Sequence, residues 1–236
     1  MTTKGLFPRL WRWTKKIFII LFIAQLVYII LLKWVNPPIT VTQLVSWVSG
    51  HGLKRDYVSR NAISPNAKLA VIASEDQLFS DHNGFDWKSI KKAMKYNEKK
   101  PGRIRGGSTI SQQVAKNVFL WQGRSWIRKG LETYFTFMIE LLWSKKRIMQ
   151  VYLNVIEMGD GIFGIEAAAQ SYFNKPAKSL SRQEAALIAA CLPNPKRYKV
   201  NPPSSYVASR ARRIAQQMNN LSTDPDIQKV IGTGPP

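Results

Sequence analysis

Glu75 and Asp76 stand side by side and are followed by Phe79, His82 and Gly84. Paired carboxylates beside an aromatic ring and one of the chain's 2 histidines have the make-up of an acid/base centre. Glu75 follows the apolar stretch Ala70–Ala73, so partial burial raises its pKa and suits it to taking a proton from a hydroxyl. Acidic residues at a turn also cap helices or simply stay solvated. His82, with no second histidine near it in sequence, reads as a hydrogen-bonding scaffold rather than a metal ligand.

A second group runs Gly106-Gly107-Ser108-Thr109-Ile110-Ser111-Gln112-Gln113 and leads to Lys116 and Asn117. Glycine lets a backbone approach a ligand closely, and the start of the next helix presents free N–H groups to anionic oxygen. A helix opened by Ser108 puts Ser108, Gln112 and Lys116 at i, i+4 and i+8, so one face offers a hydroxyl, an amide and an ammonium to a phosphate-linked sugar. The Lys-Ser/Thr pair of a nucleotide-binding loop is missing at the required spacing.

The third group is Arg124, Arg128, Lys129 and Glu132. Taken alone, Arg128 and Glu132 read as a surface ion pair worth roughly a few tenths of a kcal/mol. With Lys116 beside the same face, the cations converge and can neutralise a pyrophosphate leaving group. Such a leaving group needs cations, with or without a divalent metal, rather than a proton donor, so a single carboxylate base on the attacking hydroxyl suffices. A glycosidase needs a flanking acid with a base or nucleophile.

These side chains must be carried by helices. Ser64 and Pro65 signal an N-cap and first position before the Leu69, Ile72, Ala73 face, with Glu75 near that helix's end. Asp86 can cap a helix through Ile90 and Met94, and the basic loop Lys99–Gly107 separates it from a helix running from Ser108 to about Phe119. Further helices are expected from Ser125 to Trp143, from Ser144 to near Gly159, from Gly164 to Phe173, after the Ser181/Glu184 capping box, and from Ser204 to Leu221. The apolar stripe Tyr134–Trp143 is read as core, with a bilayer-grazing face as the alternative. No strand of useful length is expected, so the fold class is mainly α.

Lys and Arg number 35 against 14 Asp and Glu in 236 residues, a formal charge of +21 that calls for a polyanionic partner without choosing among nucleic acid, phosphate and anionic lipid. The run from Ile17 to Val35 is long and apolar enough for a spanning helix, flanked by Trp11, Trp13 and Trp34. Lys4, Arg9, Arg12, Lys15 and Lys16 precede it and only Lys33 follows closely, which leaves the N-terminus cytoplasmic and the remainder outside. A cytosolic nucleic-acid partner is thereby excluded. A cleaved signal peptide is the rival reading, but Lys33–Pro38 holds no small-x-small cleavage site. The expected organisation is a basic tail (1–16), an anchor (17–35), a linker (36–63) with one short helix around Val41–Val48, a catalytic domain (64–222) and a tail (223–236). The lone Cys191, in an apolar run, reads as a buried thiol.

Four ordered motifs carry a resemblance: Glu-Asp-x-x-Phe-x-x-His-x-Gly at 75–84, Gly-Gly-Ser-Thr-Ile-Ser-Gln-Gln at 106–113, Arg-Lys-x-x-Glu at 128–132 and Tyr-Leu-Asn at 152–154. Over about residues 64–220 the chain resembles the family 51 glycosyltransferases, the peptidoglycan polymerases, in particular the monofunctional biosynthetic type. That resemblance implies a lysozyme-like helical fold with a small membrane-associated jaw at about 85–121. It implies polymerisation of lipid II into β-1,4 glycan strands by inverting transfer, with release of undecaprenyl pyrophosphate. Glu75 would be the base on the acceptor's 4-hydroxyl, and Glu132 the second carboxylate, at the donor pyrophosphate or its metal. Ser108, Gln112, Lys116, Arg124, Arg128 and Lys129 would hold phosphate and sugar, with Asp76 at the substrate and Phe79, His82 and Gly84 in support. The expected cofactor is a divalent cation, Mg or Mn, with no organic cofactor.

The partners implied are lipid II, the growing glycan, the membrane and other cell-wall synthesis proteins such as those of the divisome. The expected location is the bacterial inner membrane, single-pass, with the catalytic domain periplasmic. Arg105 and Gln150 depart from the family pattern, where Gln and Glu are common. Ser89-Ile-Lys-Lys lacks the companion motifs of a transpeptidase, so no such activity is expected. A lysozyme-like glycan hydrolase and a non-enzymatic anchored scaffold are the two competing readings.

Overall fold

The computed structural model describes residues 6–100, 106–123 and 125–233. The expectations placed on Lys4, Arg105 and Arg124 fall outside them. The chain divides into two compact units, residues 1–37 and 38–236. The first is built on α1 (Leu6–Leu31), long and apolar enough to cross a membrane. Arg9 to Lys16, expected as a separate tail, belong to this helix, since no residue there interrupts it. Lys15 and Lys16 lie over the Trp11 and Trp13 rings at 5.0 and 5.7 Å, and the helix ends at Leu31 in a turn rather than reaching Val35.

In the second unit the helices are α2 (Val41–Val48), α3 (Pro65–Glu75), α4 (Trp87–Lys99), α5 (Ile110–Phe119), α6 (Trp126–Leu142) and α7 (Lys145–Val155). They continue as α8 (Ile165–Phe173), α9 (Arg182–Cys191), α10 (Ser205–Leu221) and α11 (Pro225–Ile231). The local signals act as anticipated. Ser64, Asp86, Ser125, Ser144 and Ser204 each accept a backbone N–H at the start of their helix, and Ser181 with Glu184 closes a capping box. Helix α3 is enclosed by α9, α10 and α11, while α5 packs between α6 and α7. Cys191 is buried, and desolvation pushes its thiol up to about 11, as for an inert core cysteine.

Several expectations are corrected. Residues 38–63 are no linker: α2 packs on α5, and β1 (Lys54–Arg55) pairs in parallel with β3 (Ile162–Phe163), which is antiparallel to β2 (Glu157–Gly159). The polar tail holds α11, capped by Asp224 with Pro225 at its first position, and Ile227, Val230 and Ile231 are buried. Helix α5, placed in an open jaw, buries Ile110, Val114, Ala115 and Val118, whereas α4 is largely open. The stripe on α6 divides: Ile139 and Trp143 are core, whereas Phe137 and Leu141 are 59% and 66% exposed.

Candidate active site

Glu75 is the last residue of α3, held in place because the helix buries Leu69 to Ala73. Its side chain is 15% exposed. Gln113 Nε2 of α5 donates to its Oε2 at 2.9 Å, and Arg210 of α10 stands 4.0 Å from Oε1. Burial raises the pKa of this carboxyl; the Gln113 bond, the Arg210 charge and the Ser74 hydroxyl pull against the rise, and Asp76 adds to it. A carboxylate with raised proton affinity and its own donor is equipped to accept a proton from a bound hydroxyl.

Asp76 is differently occupied. Its Oδ1 accepts from His82 Nε2 at 2.9 Å and its Oδ2 from the Ile110 backbone N–H at 3.0 Å, so it caps α3 and receives the N-terminus of α5. With both oxygens engaged and the residue 7% exposed, Asp76 is a scaffold and not the substrate contact expected of it. His82 Nδ1 accepts from the Gly84 N–H at 3.1 Å, which places the ring proton on Nε2, toward Asp76. Phe79 is fully buried and meets His82 edge-on. Lys145 Nζ lies 4.6 Å over the Phe79 ring, donates to the His82 carbonyl at 2.5 Å and pairs with Glu140 at 2.8 Å. Ser111 Oγ donates to the same Glu140 oxygen.

The glycine-rich motif builds its helix one residue later than expected. Thr109, not Ser108, is the N-cap: its Oγ1 accepts from Gln112 N, and Gln112 Oε1 accepts from Thr109 N at 3.0 Å. Threonine with glutamine three residues on is a complete capping box, so the amide of Gln112 is spent on the cap and buried. Ser108 lies before the helix and is exposed. The expected face of Ser108, Gln112 and Lys116 is therefore not formed. Gln113, Lys116 and Asn117 share a face instead and line a cleft of about 530 Å³ whose other walls include Thr42, Glu157 and Lys196.

On α6, Arg128 Nη1 donates to Glu132 Oε2 at 2.7 Å and Lys129 Nζ to Oε1 at 2.5 Å. Glu132 is 3% exposed and Arg128 8%, so this is a buried cluster rather than a surface pair. Burial lowers the pKa of Lys116; Glu132 opposes that, and the charges of Arg128 and Lys129 reinforce it. Three cations thus converge on one carboxylate, and the excess positive charge suits an anion. Arg128 Nε, buried, has no hydrogen-bond partner among the described residues. Among the described residues no group of three or more His, Cys, Asp or Glu could hold a metal, and both oxygens of Glu132 already accept from cations. The donor set does not fit a resident divalent ion.

Sequence reasoning passed over Gln113, Arg210 and Tyr152 as individual residues. Gln113 stood inside a quoted motif without being singled out, whereas Arg210 is brought to Glu75 only by the packing of α10 on α3.

The transglycosylase family model matches residues 42–219. The chain is 58% identical over 190 residues to a biosynthetic peptidoglycan transglycosylase of Shigella sonnei (strain Ss046), covering 79% of this chain and 78% of that protein. Proteins of the same description from Shigella boydii serotype 4 (strain Sb227) and Escherichia coli (strain K12 / DH10B) are each 57% identical over 190 residues, with the same coverage. The mainly helical fold with one N-terminal apolar helix agrees with the lysozyme-like transglycosylase domain. On its fold, its ordered motifs and these similarities, the chain belongs to the transglycosylase family.

Proposed function

We propose that Glu75 is the general base of a peptidoglycan glycosyltransferase and that Lys116, Arg128 and Lys129 receive the pyrophosphate of the lipid-linked donor. The activity class, peptidoglycan glycosyl transfer in cell-wall synthesis, follows from the family and the names of its members. The observation that carries the residue assignment is the shared face of α5. Gln113 donates to Glu75, and Lys116, three residues on, is electrostatically coupled to Glu132, Arg128 and Lys129.

Glu75 takes the proton of the acceptor's 4-hydroxyl as that oxygen attacks the anomeric carbon of the growing chain. The bond to the pyrophosphate oxygen breaks on the opposite face, inverting the centre. The pyrophosphate, which gains a further negative charge as it keeps the electron pair of the broken C–O bond, is met by cations already held in place, so little reorganisation is needed as charge develops. Glu132 keeps Arg128 and Lys129 aligned in the absence of substrate. Undecaprenyl pyrophosphate leaves, and the β-1,4 glycan grows by one disaccharide of lipid II.

The apolar helix α1 serves as a membrane anchor. We assign it to the inner membrane, with Arg9, Arg12, Lys15 and Lys16 on the cytoplasmic side and the catalytic unit in the periplasm. Other cell-wall synthesis proteins, divisome components included, are the proposed partners. Detergent-solubilised protein incubated with labelled lipid II, with and without divalent cation, tests the assignment. Polymer and free lipid pyrophosphate are expected from the parent and neither from Glu75→Gln, with lipid II binding retained. Cleavage of preformed glycan without polymer, or turnover by Glu75→Gln, would refute it.

A further inference from the structure

Tyr152 of α7 is fully buried, and its hydroxyl donates to Gln113 Oε1 at 3.3 Å. From the same amide, Nε2 donates to Glu75 Oε2 at 2.9 Å. A primary amide presents an acceptor at one end and donors at the other, and its neighbours decide which end points where. Here an O–H donor sits on one side and a carboxylate on the other, so both contacts select one orientation. Desolvation, with the charges of Glu75 and Asp76, holds the phenol's pKa well above its ordinary value, so its proton stays on the oxygen.

We infer that Tyr152 is a positioning residue for glycosyl transfer, fixing the Gln113 amide with its N–H toward Glu75 and thereby favouring the ionised base. A hydrogen bond from N–H to a carboxylate is stronger than one to the neutral acid, so this orientation works against protonation of Glu75. Without the phenol the amide is free to turn its oxygen to Glu75, an arrangement that suits the protonated carboxyl. The other groups facing Glu75 are Asp76 and Ser74 of its own segment and Arg210 of α10, and exchanging a neutral phenol for a phenyl ring leaves their charges as they are. The inference rests on Glu75 being the base.

The test is the pH dependence of polymerisation kcat for the full-length protein in detergent. Tyr152→Phe removes the hydroxyl and keeps the ring. The midpoint of the acid limb should move up by about 0.5–1 pH unit, with the rate on the alkaline plateau largely retained. Gln113→Ala should move it at least as far, and adding Tyr152→Phe to Gln113→Ala should move it no further. Site-specific 3-fluorotyrosine at 152, isosteric and a stronger donor, should move it down, and this protein decides the matter if Tyr152→Phe does not fold. A packing role shifts no titration. An unmoved midpoint in Tyr152→Phe, an equal shift in the Gln113→Ala background, or no downward shift with fluorotyrosine would overturn the relay alone. A parent profile without an acid limb would overturn the base and the relay together.

Discussion

Gly84→Ala tests the link between backbone geometry and the catalytic scaffold. Gly84 has φ +88°, a conformation that costs an alanine about 1 kcal/mol. The added Cβ would lie 2.7 Å from Thr136 Cγ2 and 3.0 Å from Glu140 Cγ, both on α6. Overpacking of that kind in a close-packed site costs roughly 1–3 kcal/mol. The sum, about 2–4 kcal/mol, corresponds to a fall in Tm of roughly 5–15 °C for a domain of this size. The segment cannot move away freely, since the Gly84 N–H donates to His82 and its carbonyl accepts from Thr109 Oγ1 at 2.7 Å. Polymerisation should therefore fall together with stability. The second variant separates the two costs: Gly84→Ala with Thr136→Ser removes the obstructing methyl while keeping the hydroxyl that donates to the Glu132 carbonyl. The pair should recover about 1 kcal/mol or more of the overpacking cost and none of the φ cost. Thermal unfolding followed by circular dichroism in detergent measures both. A change within about 0.5 kcal/mol for the single variant, or no recovery in the pair, would refute the reasoning.

If Glu75, whose pKa burial raises, is the base proposed above, activity should fall as pH drops through a midpoint raised from that of a free glutamate, and a pH–rate profile of kcat checks it. Lys116→Ala should raise KM for lipid II about tenfold or more by removing one cation of the proposed pyrophosphate site, with little change in Tm. Arg128→Ala takes one of its two hydrogen-bonded cations from buried Glu132 and should lower both activity and stability, the latter by roughly 1–3 kcal/mol, measured by denaturant unfolding. Burial and the Arg60 charge lower the pKa of Lys68 to about 8 from 10.5, so the folded protein gives up this proton before the unfolded chain does. Stability should thus rise between about pH 8 and 10.5 through this group, and unfolding free energies measured across that window should lose the slope in Lys68→Met.

What was legible in the sequence was what is encoded locally. Ser64-Pro65, Asp86, Ser125, Ser144, Ser181/Glu184 and Ser204 gave the helix starts because a cap is satisfied by its own next few residues. The error at Ser108 arose between adjacent cap formers, and the glutamine three residues beyond Thr109 was the deciding signal. Asp224-Pro225 was a readable helix start hidden in a polar tail. By contrast, β1 is two residues long and finds its partner more than a hundred positions away, so no periodicity could announce it. The candidate site divides similarly. Glu75 and the cations of α6 were readable as residue types at helical spacing. That Asp76 is consumed by His82 and Ile110, and that Arg210 and Tyr152 approach Glu75, depends on tertiary packing.

The divided surface of α6 bears on how the protein behaves once released from its anchor. One face is fastened inward by Glu132, Thr136 and Ile139, while Trp126, Ile127, Phe137 and Leu141 remain 92%, 75%, 59% and 66% exposed. Oily side chains clustered on one side of a helix raise interfacial free energy in water whether or not α1 is attached. Truncation before residue 38 would accordingly yield a particle that is still surface-active, prone to clump in plain buffer and dependent on amphiphile for a monodisperse solution.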